Sequence, residues 1–274
     1  MPNLRIIHNN AADRATVAAS TTAGSLVAAN MQSDIKGKVH RSTGLSVSYT
    51  LTWANAETIG GIALPCTNLS SAATIRVQLY SDTAGNTQIA DSGTISAGAS
   101  VPELWDQTQP INANTFAFGG YSKTAVWFST QYTTARRCVI TLTDTSANTA
   151  GYIDCSRLVI GKYWEPTYNA ENGINLQITD TSQTSRSEAG DLLVDRNTVY
   201  ESLSFNFTLL PEADRAQLNK IIKYAGASKN ILVCLFPGDA NTQQDYMVYG
   251  KRSNSSIVYR LFSFYDHSME ITGW

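Results

Sequence analysis

The sequence is short of the residues that an active centre needs. Its 274 residues include only three histidines, His8, His40 and His267, none at metal-ligand spacing from another. It has no Gly-x-Ser-x-Gly elbow and no glycine-rich phosphate loop. Asp266-His267-Ser268 comes nearest to a triad, yet residues adjacent in a strand point to opposite faces and cannot relay one proton. Carboxylates for glycoside cleavage can be drawn from Glu103, Asp106, Asp144 and Asp154, but nothing fixes the separation of roughly 5 to 10 Å that this mechanism requires. The chain is therefore expected not to be an enzyme and to need no cofactor.

Charge is scarce as well. With 15% charged residues and a formal net charge of −2, the chain has no basic surplus to hold nucleic-acid phosphates, which excludes nucleic-acid binding as its main task. No apolar run approaches the roughly 18 residues that cross a bilayer, and Met1 to Asn10 lacks the basic start and apolar core of a signal peptide. Synthesis and folding in a cytosol are expected. The four cysteines, Cys66, Cys138, Cys155 and Cys234, show no close CxxC spacing, so no metal site is expected. They read as buried free thiols, with a Cys138–Cys155 disulfide as the alternative.

What is present is β-structure with one helix. Leu203, Phe205, Phe207 and Leu209 alternate with Ser204, Asn206 and Thr208, the period of a strand with one wet face. Pro211 to Ala225 reads as a helix. Pro211 suits the first helical position, Glu212 and Asp214 favour the positive end of the dipole, and Gly226 stops it. Leu218, Ile221, Ile222 and Ala225 give it one apolar face. Ile231 to Phe236 is an unbroken apolar run ended by Pro237 and Gly238, as in a central strand covered on both faces, here by the helix. Asp245 to Gly250 and two last strands complete this part.

From about Ser46 to Lys162 the pattern changes to short strands between turns, the signature of a β-sandwich. Val47, Tyr49 and Leu51 alternate into Trp53, and Thr58 to Leu64 follows. Ile75, Val77 and Leu79 alternate into the turn-rich loop Ser81-Asp82-Thr83-Ala84-Gly85-Asn86. Ala125 to Phe128 and the alternating Cys138, Ile140 and Leu142 supply the opposite sheet, with Trp53 and Trp127 expected in the core. Asp82 brings too few carboxylates for calcium. Between the two parts, Asp180 to Ser187 has too little apolar surface to fold alone, so an exposed β-hairpin arm, or a segment ordered against a neighbouring subunit, is expected.

Several of these segments resemble the discoidin-like, galactose-binding-like jelly roll. They are Ile75-Arg76-Val77-Gln78-Leu79-Tyr80-Ser81-Asp82 with Gly85-Asn86, Arg136-Arg137-Cys138-Val139-Ile140-Thr141-Leu142, and Gly151-Tyr152-Ile153-Asp154-Cys155-Ser156-Arg157-Leu158-Val159-Ile160-Gly161. The resemblance implies sugar binding through loops at one end of the sandwich, with Trp105, Asp106, Tyr121, Asp82 and Asn86 as the residues to stack on a pyranose and orient its hydroxyls.

The Gly-tipped end of the sandwich, then Trp164-Glu165-Pro166, a Ser-rich strand pair and Leu210-Pro211-Glu212-Ala213-Asp214, resembles minor tail and distal tail proteins of long-tailed bacteriophages. That resemblance implies a mostly β fold, a discoidin-like jelly-roll sandwich plus a tail-tube-like domain with one helix over 211–225. The expected divisions are an N-terminal segment 1–40, a sandwich 41–165 and a tail-tube-like domain 166–274. In that family the ring domain precedes or encloses the ornament. Met1 to Asp13 is therefore expected to return to the C-terminal domain as a strand with Leu4, Ile6 and Ile7 buried, making the sandwich an insertion.

The function implied is that of a structural component of a tail tip or baseplate, a ring at the end of the tail tube carrying an outward carbohydrate-binding-like domain. The alternative is a host-surface carbohydrate-binding, receptor-binding tail protein. Implied partners are further copies of the chain as a hexamer, with a trimer as the alternative, other tail and baseplate proteins, and host-surface glycans. The implied location is the virion tail, after synthesis in the host cytoplasm.

Overall fold

The computed structural model describes residues 2–70, 72–97, 124–171, 173–239, 242–261 and 264–274. In chain order its strands begin with β1 (Arg5–Ile7), β2 (Thr16–Ala19), β3 (His40–Arg41), β4 (Ser46–Pro65), β5 (Thr74–Tyr80) and β6 (Gln88–Ser96). Next come β7 (Thr124–Thr143), β8 (Asp154–Cys155), β9 (Val159–Gly161), β10 (Tyr163–Trp164), β11 (Asn175–Asp180), β12 (Gln183–Arg186) and β13 (Leu192–Asp195). β14 (Val199–Pro211) leads into the helix α1 (Glu212–Ala225), and β15 (Asn230–Cys234), β16 (Met247–Leu261) and β17 (Phe264–Gly273) follow. Among the described residues the protein is mostly β with this one α-helix, and its two larger sheets are antiparallel: a jelly-roll sandwich and a second β region.

The sandwich sheet runs β2-β4-β7-β5-β6, with β9 on the far half of β4. The alternating residues fall where the sequence places them: Val47, Tyr49, Leu51, Ile75, Val77 and Leu79 all enter one core. The strands are longer than the sequence suggests. Val47–Trp53 and Thr58–Leu64 read as two strands but form one of 20 residues, and so do the two halves of β7. The exposed stretch Ala54 to Ala56 looks like a turn in sequence, whereas the ladder resumes beyond it with a shifted register between Thr52 and Glu57. The division at residue 41 also moves. Ala11, Ala12, Ala28 and Met31 pack into the sandwich core, and β2 pairs with β4. These small residues carry no periodicity, which hid their membership.

The second sheet has the order β10-β1-β15-β16-β17-β14-β11. β1 lies between β10 and β15, with Ile6 opposite both Trp164 and Val233. The chain thus starts in this sheet, builds the sandwich, and re-enters at Tyr163, so Trp164 belongs here and not to the sandwich. Leu218, Ile221 and Ala225 of α1 share a core with Leu4, Phe205 and Val233. Pro211 closes β14 as the helix N-cap, one residue earlier than its expected place, since at a cap the missing N–H costs no hydrogen bond. Gly226, at φ +56°, ends the helix and its N–H donates to the Ile222 carbonyl at 2.9 Å.

β15 shows why its apolar run has no alternation. Ile231 and Val233 face the helix-side core, while Leu232 and Cys234 meet Ile7, Ala63, Val126 and Tyr163 in a cluster shared with the sandwich. The second cover is therefore the sandwich. Beside it Arg157, 3% exposed in its side chain, donates to Asp13 at 2.7 and 2.9 Å, to the Met31 carbonyl at 3.2 Å and to the Tyr249 hydroxyl at 3.0 Å. Asp34 lies 3.0 Å from its Nε and accepts from the Tyr249 hydroxyl at 2.7 Å. Cys138, Cys155 and Cys234 are buried free thiols, as expected, whereas Cys66 is only half-buried. Burial pushes the Cys155 and Cys234 thiols up to about 12, leaving them protonated and inert.

Between the sandwich and α1 the chain throws out the expected arm. β11 pairs with β14, and β12 pairs with β13 farther out. Every residue of β12 and β13 is exposed.

Candidate functional site

A groove of about 360 Å³ opens where the sandwich meets the second sheet, lined chiefly by Arg5, Ile95, Trp127, Phe128, Pro237 and Gln243. That volume lies within the usual range for small-molecule sites, about 300 to 1,000 Å³. The apolar wall comes from the sandwich. Val126, Trp127 and Phe128 follow one another in β7, and Trp127 is half-buried with one side packed on the sandwich core. Trp53 is core, its indole N–H donating to the Ala11 carbonyl at 2.8 Å, but Trp127 sits at the core margin. Phe128 lies edge-on to Tyr163, with ring centroids 5.8 Å apart. It also rests on Gly61, where a Cβ would come 2.6 Å from the ring, so the absence of a side chain there lets the ring lie flat on the backbone.

The polar wall comes from the second domain. Arg5 on β1 is buried, its guanidinium 4.2 Å from the Tyr163 ring centroid and 5.3 Å from that of Phe128. Its Nε donates to Glu165 at 2.9 Å, and the other oxygen of Glu165 accepts from the Asn3 backbone at 3.0 Å. Gln244 is buried and clamps the two domains: its Oε1 accepts from the Thr124 N–H at 3.0 Å and its Nε2 donates to the Thr124 carbonyl at 2.6 Å. The Gln243 Oε1 accepts from the Gly238 N–H at 2.6 Å, with Gly238 at φ +83°. That bond holds the turn after β15 against the groove.

Of the residues the sequence nominated, Trp105, Asp106 and Tyr121 lie outside the described residues. Asp82 and Asn86 are brought together, but in a self-contained turn. The Asp82 carboxylate accepts from the backbone N–H groups of Gly85, Asn86 and Thr87 at 2.6, 3.0 and 2.7 Å. The Asn86 and Thr87 donors in particular hold its pKa down to about 2. Its lone pairs are occupied by its own loop, while the Asn86 side chain is exposed. This loop joins β5 to the start of β6, and the groove touches the end of β6 at Ile95 to Ala97. Seven strand residues, 88–94, separate the two regions, roughly 25 Å at the rise of a strand.

Asp266 and His267 lie on opposite faces of β17. His267 is buried beside Phe207, and burial together with the charge of Arg252 lowers its pKa to about 4. Among the described residues no group of three His, Cys, Asp or Glu is placed to hold a metal ion, and no helix is long and apolar enough to cross a membrane.

The groove residues were missed because their juxtaposition is long-range: Arg5 meets Glu165 and Phe128 only after the sandwich has folded between them. One signal was available. Val126-Trp127-Phe128 breaks the alternation of β7, as residues with cover on both faces do.

No protein-family model and no curated protein matches the chain. Among solved structures it is similar to the family 32 carbohydrate-binding module of C. perfringens NanJ in complex with galactose, at 14% identity and a TM-score of 0.38, covering 59% of this chain and 99% of that one. It is also similar to a Streptococcus pneumoniae fucose-binding module, at 11% identity and TM-score 0.37, covering 56% and 95%. A third is a Ruminococcus gnavus GH29 fucosidase in complex with fucose, at 14% identity and TM-score 0.39, covering 57% of this chain. The chain spans only 27% of that fucosidase. The fold described above rests on this chain's own strand order and registers.

Proposed function

We propose that this chain is a carbohydrate-binding protein whose sandwich takes a saccharide in the groove it forms with the second domain, binding it without turnover. One observation carries the reading: two half-buried aromatic residues, Trp127 and Phe128, line a cleft of sugar size together with the donors Arg5 and Gln243. A pyranose offers an apolar face to stack on such rings and hydroxyls for the donors. Titrating the full chain with a panel of neutral and acidic oligosaccharides, followed by tryptophan fluorescence, tests it. Trp127→Ala is expected to weaken binding at least about tenfold, the effect of losing one aromatic contact of about 1.5 kcal/mol or more. Binding left intact by Trp127→Ala would refute the site.

A second reading, in which copies of the chain form a ring at the distal end of a phage tail and carry the sandwich outward, draws on the arm. On β14, Leu203, Phe205 and Phe207 face the helix-side core, and Val199 lies on the same face, opposite Asp180. Ile178, opposite Glu201, shares it. This apolar face continues past the body of the domain. Ile178, Val199, Leu192, Leu193 and Val194 are each more than half exposed, and β11 forms the sheet edge. The occupant proposed is a second copy, in a hexamer, with other tail and baseplate proteins beyond it, in a virion assembled after synthesis in the host cytoplasm. Light scattering should show an oligomer that Leu192→Asp with Val194→Asp reduces to monomer, while circular dichroism shows that monomer still folded because these side chains are solvated in the single chain. A wild-type monomer at every concentration would count against this reading.

A further inference from the structure

We infer that the groove selects a saccharide bearing a carboxylate, with Arg5 as its anchor; this rests on the groove being a saccharide site. Among the described residues that line it Arg5 is the only charged one, and its partner Glu165 is not part of that lining. The Arg5 side chain is nine-tenths buried, yet among the described residues only Nε has a hydrogen-bond partner, Glu165. No hydrogen bond among the described residues engages the two Nη groups, the fork that matches a carboxylate bidentately. Stacking against Tyr163 and Phe128 fixes the guanidinium plane before any ligand arrives, which lowers the ordering cost of binding.

The other polar groups agree in sign. The side-chain carbonyls of Gln243 and Gln244 are occupied by backbone N–H groups, so Gln243 offers its Nε2 donors. A site edge rich in donors, with its amide acceptors taken, fits an acceptor-only group such as a carboxylate better than a hydroxyl, which must also donate.

The test compares an oligogalacturonate with its methyl ester, the same sugar chain without charge, binding to the full chain by calorimetry. The acid is expected to bind at least about tenfold tighter, since a hydrogen bond to a charged group contributes about 1.5 kcal/mol or more. Arg5→Lys keeps a charge beside Glu165 but loses the fork, and should bring the affinity for the acid down to within about twofold of that for the ester. If Arg5→Lys does not fold, Gln243→Ala at the mouth should narrow the difference between acid and ester by weakening the acid more. Equal binding of acid and ester, both lost in Trp127→Ala, would overturn the carboxylate assignment and leave the saccharide site standing. A sulfated oligosaccharide preferred over the uronate would likewise overturn it. Failure of every saccharide to bind would overturn both.

Discussion

Gly250→Ala is expected to cost on the order of 4 to 5 kcal/mol, at the severe end for a single substitution. Gly250 sits in β16, opposite Ile231 of β15 on one side and Gly273 of β17 on the other. An added Cβ would collide with the Thr272 carbonyl oxygen, its carbon at 2.7 Å and the Gly273 Cα at 2.8 Å. All three are backbone atoms, so no rotamer change relieves the clash. The strands must separate in the middle of the seven-stranded sheet. A melting temperature lower by roughly 10 °C or more is expected for a chain of this size, or no folded protein. Gly37→Ala is the control, because a Cβ there meets nothing within 4 Å. A Gly250→Ala protein as stable as the parent would show that β16 and β17 do not approach as described.

Arg157→Ala is expected to destabilise by about 3 kcal/mol, the lower end for removing one partner from a buried ion pair. The lower end applies because Asp13 and Asp34 retain 42% and 45% exposure in their side chains and can be hydrated once the guanidinium is gone. The Tyr249 hydroxyl and the Met31 carbonyl lose a donor as well. Since Asp13, Met31 and Asp34 belong to the sandwich side and Tyr249 to the second sheet, the loss should loosen the joint ahead of either core. Thermal unfolding of the variant should then show two transitions in place of one. Arg157→Lys, which keeps the charge without the fork, should fall between the two. A single transition at the parental temperature would contradict the role given to Arg157.

The elements with local signals were legible in the sequence, and those made by distant pairing were not. Acidic residues after Pro211, apolar residues at helical spacing and Gly226 mark α1 within a residue of its observed bounds. The alternations at Val47–Leu51, Ile75–Leu79 and Cys138–Leu142 identified core strands because burial on one face imposes a period of two. The early part of the sandwich was obscured because Ala11, Ala12 and Ala28 bury little surface and keep no period. The groove was obscured for a different reason. Arg5 reads as an ordinary charged residue until Glu165, Tyr163 and Phe128 surround it, and Trp127 reads as core because half of it is. The Asp82 loop shows the reverse: its composition suggested a ligand site, but its backbone N–H groups occupy the carboxylate first.

Hydrogen exchange of the full chain, with and without saturating oligogalacturonate, tests the central claim most directly. Slowed exchange confined to residues 3–5, 95–97, 126–130, 237–239 and 242–244 is the predicted result. Protection at 82–87 instead, or no change anywhere at saturation, would contradict it.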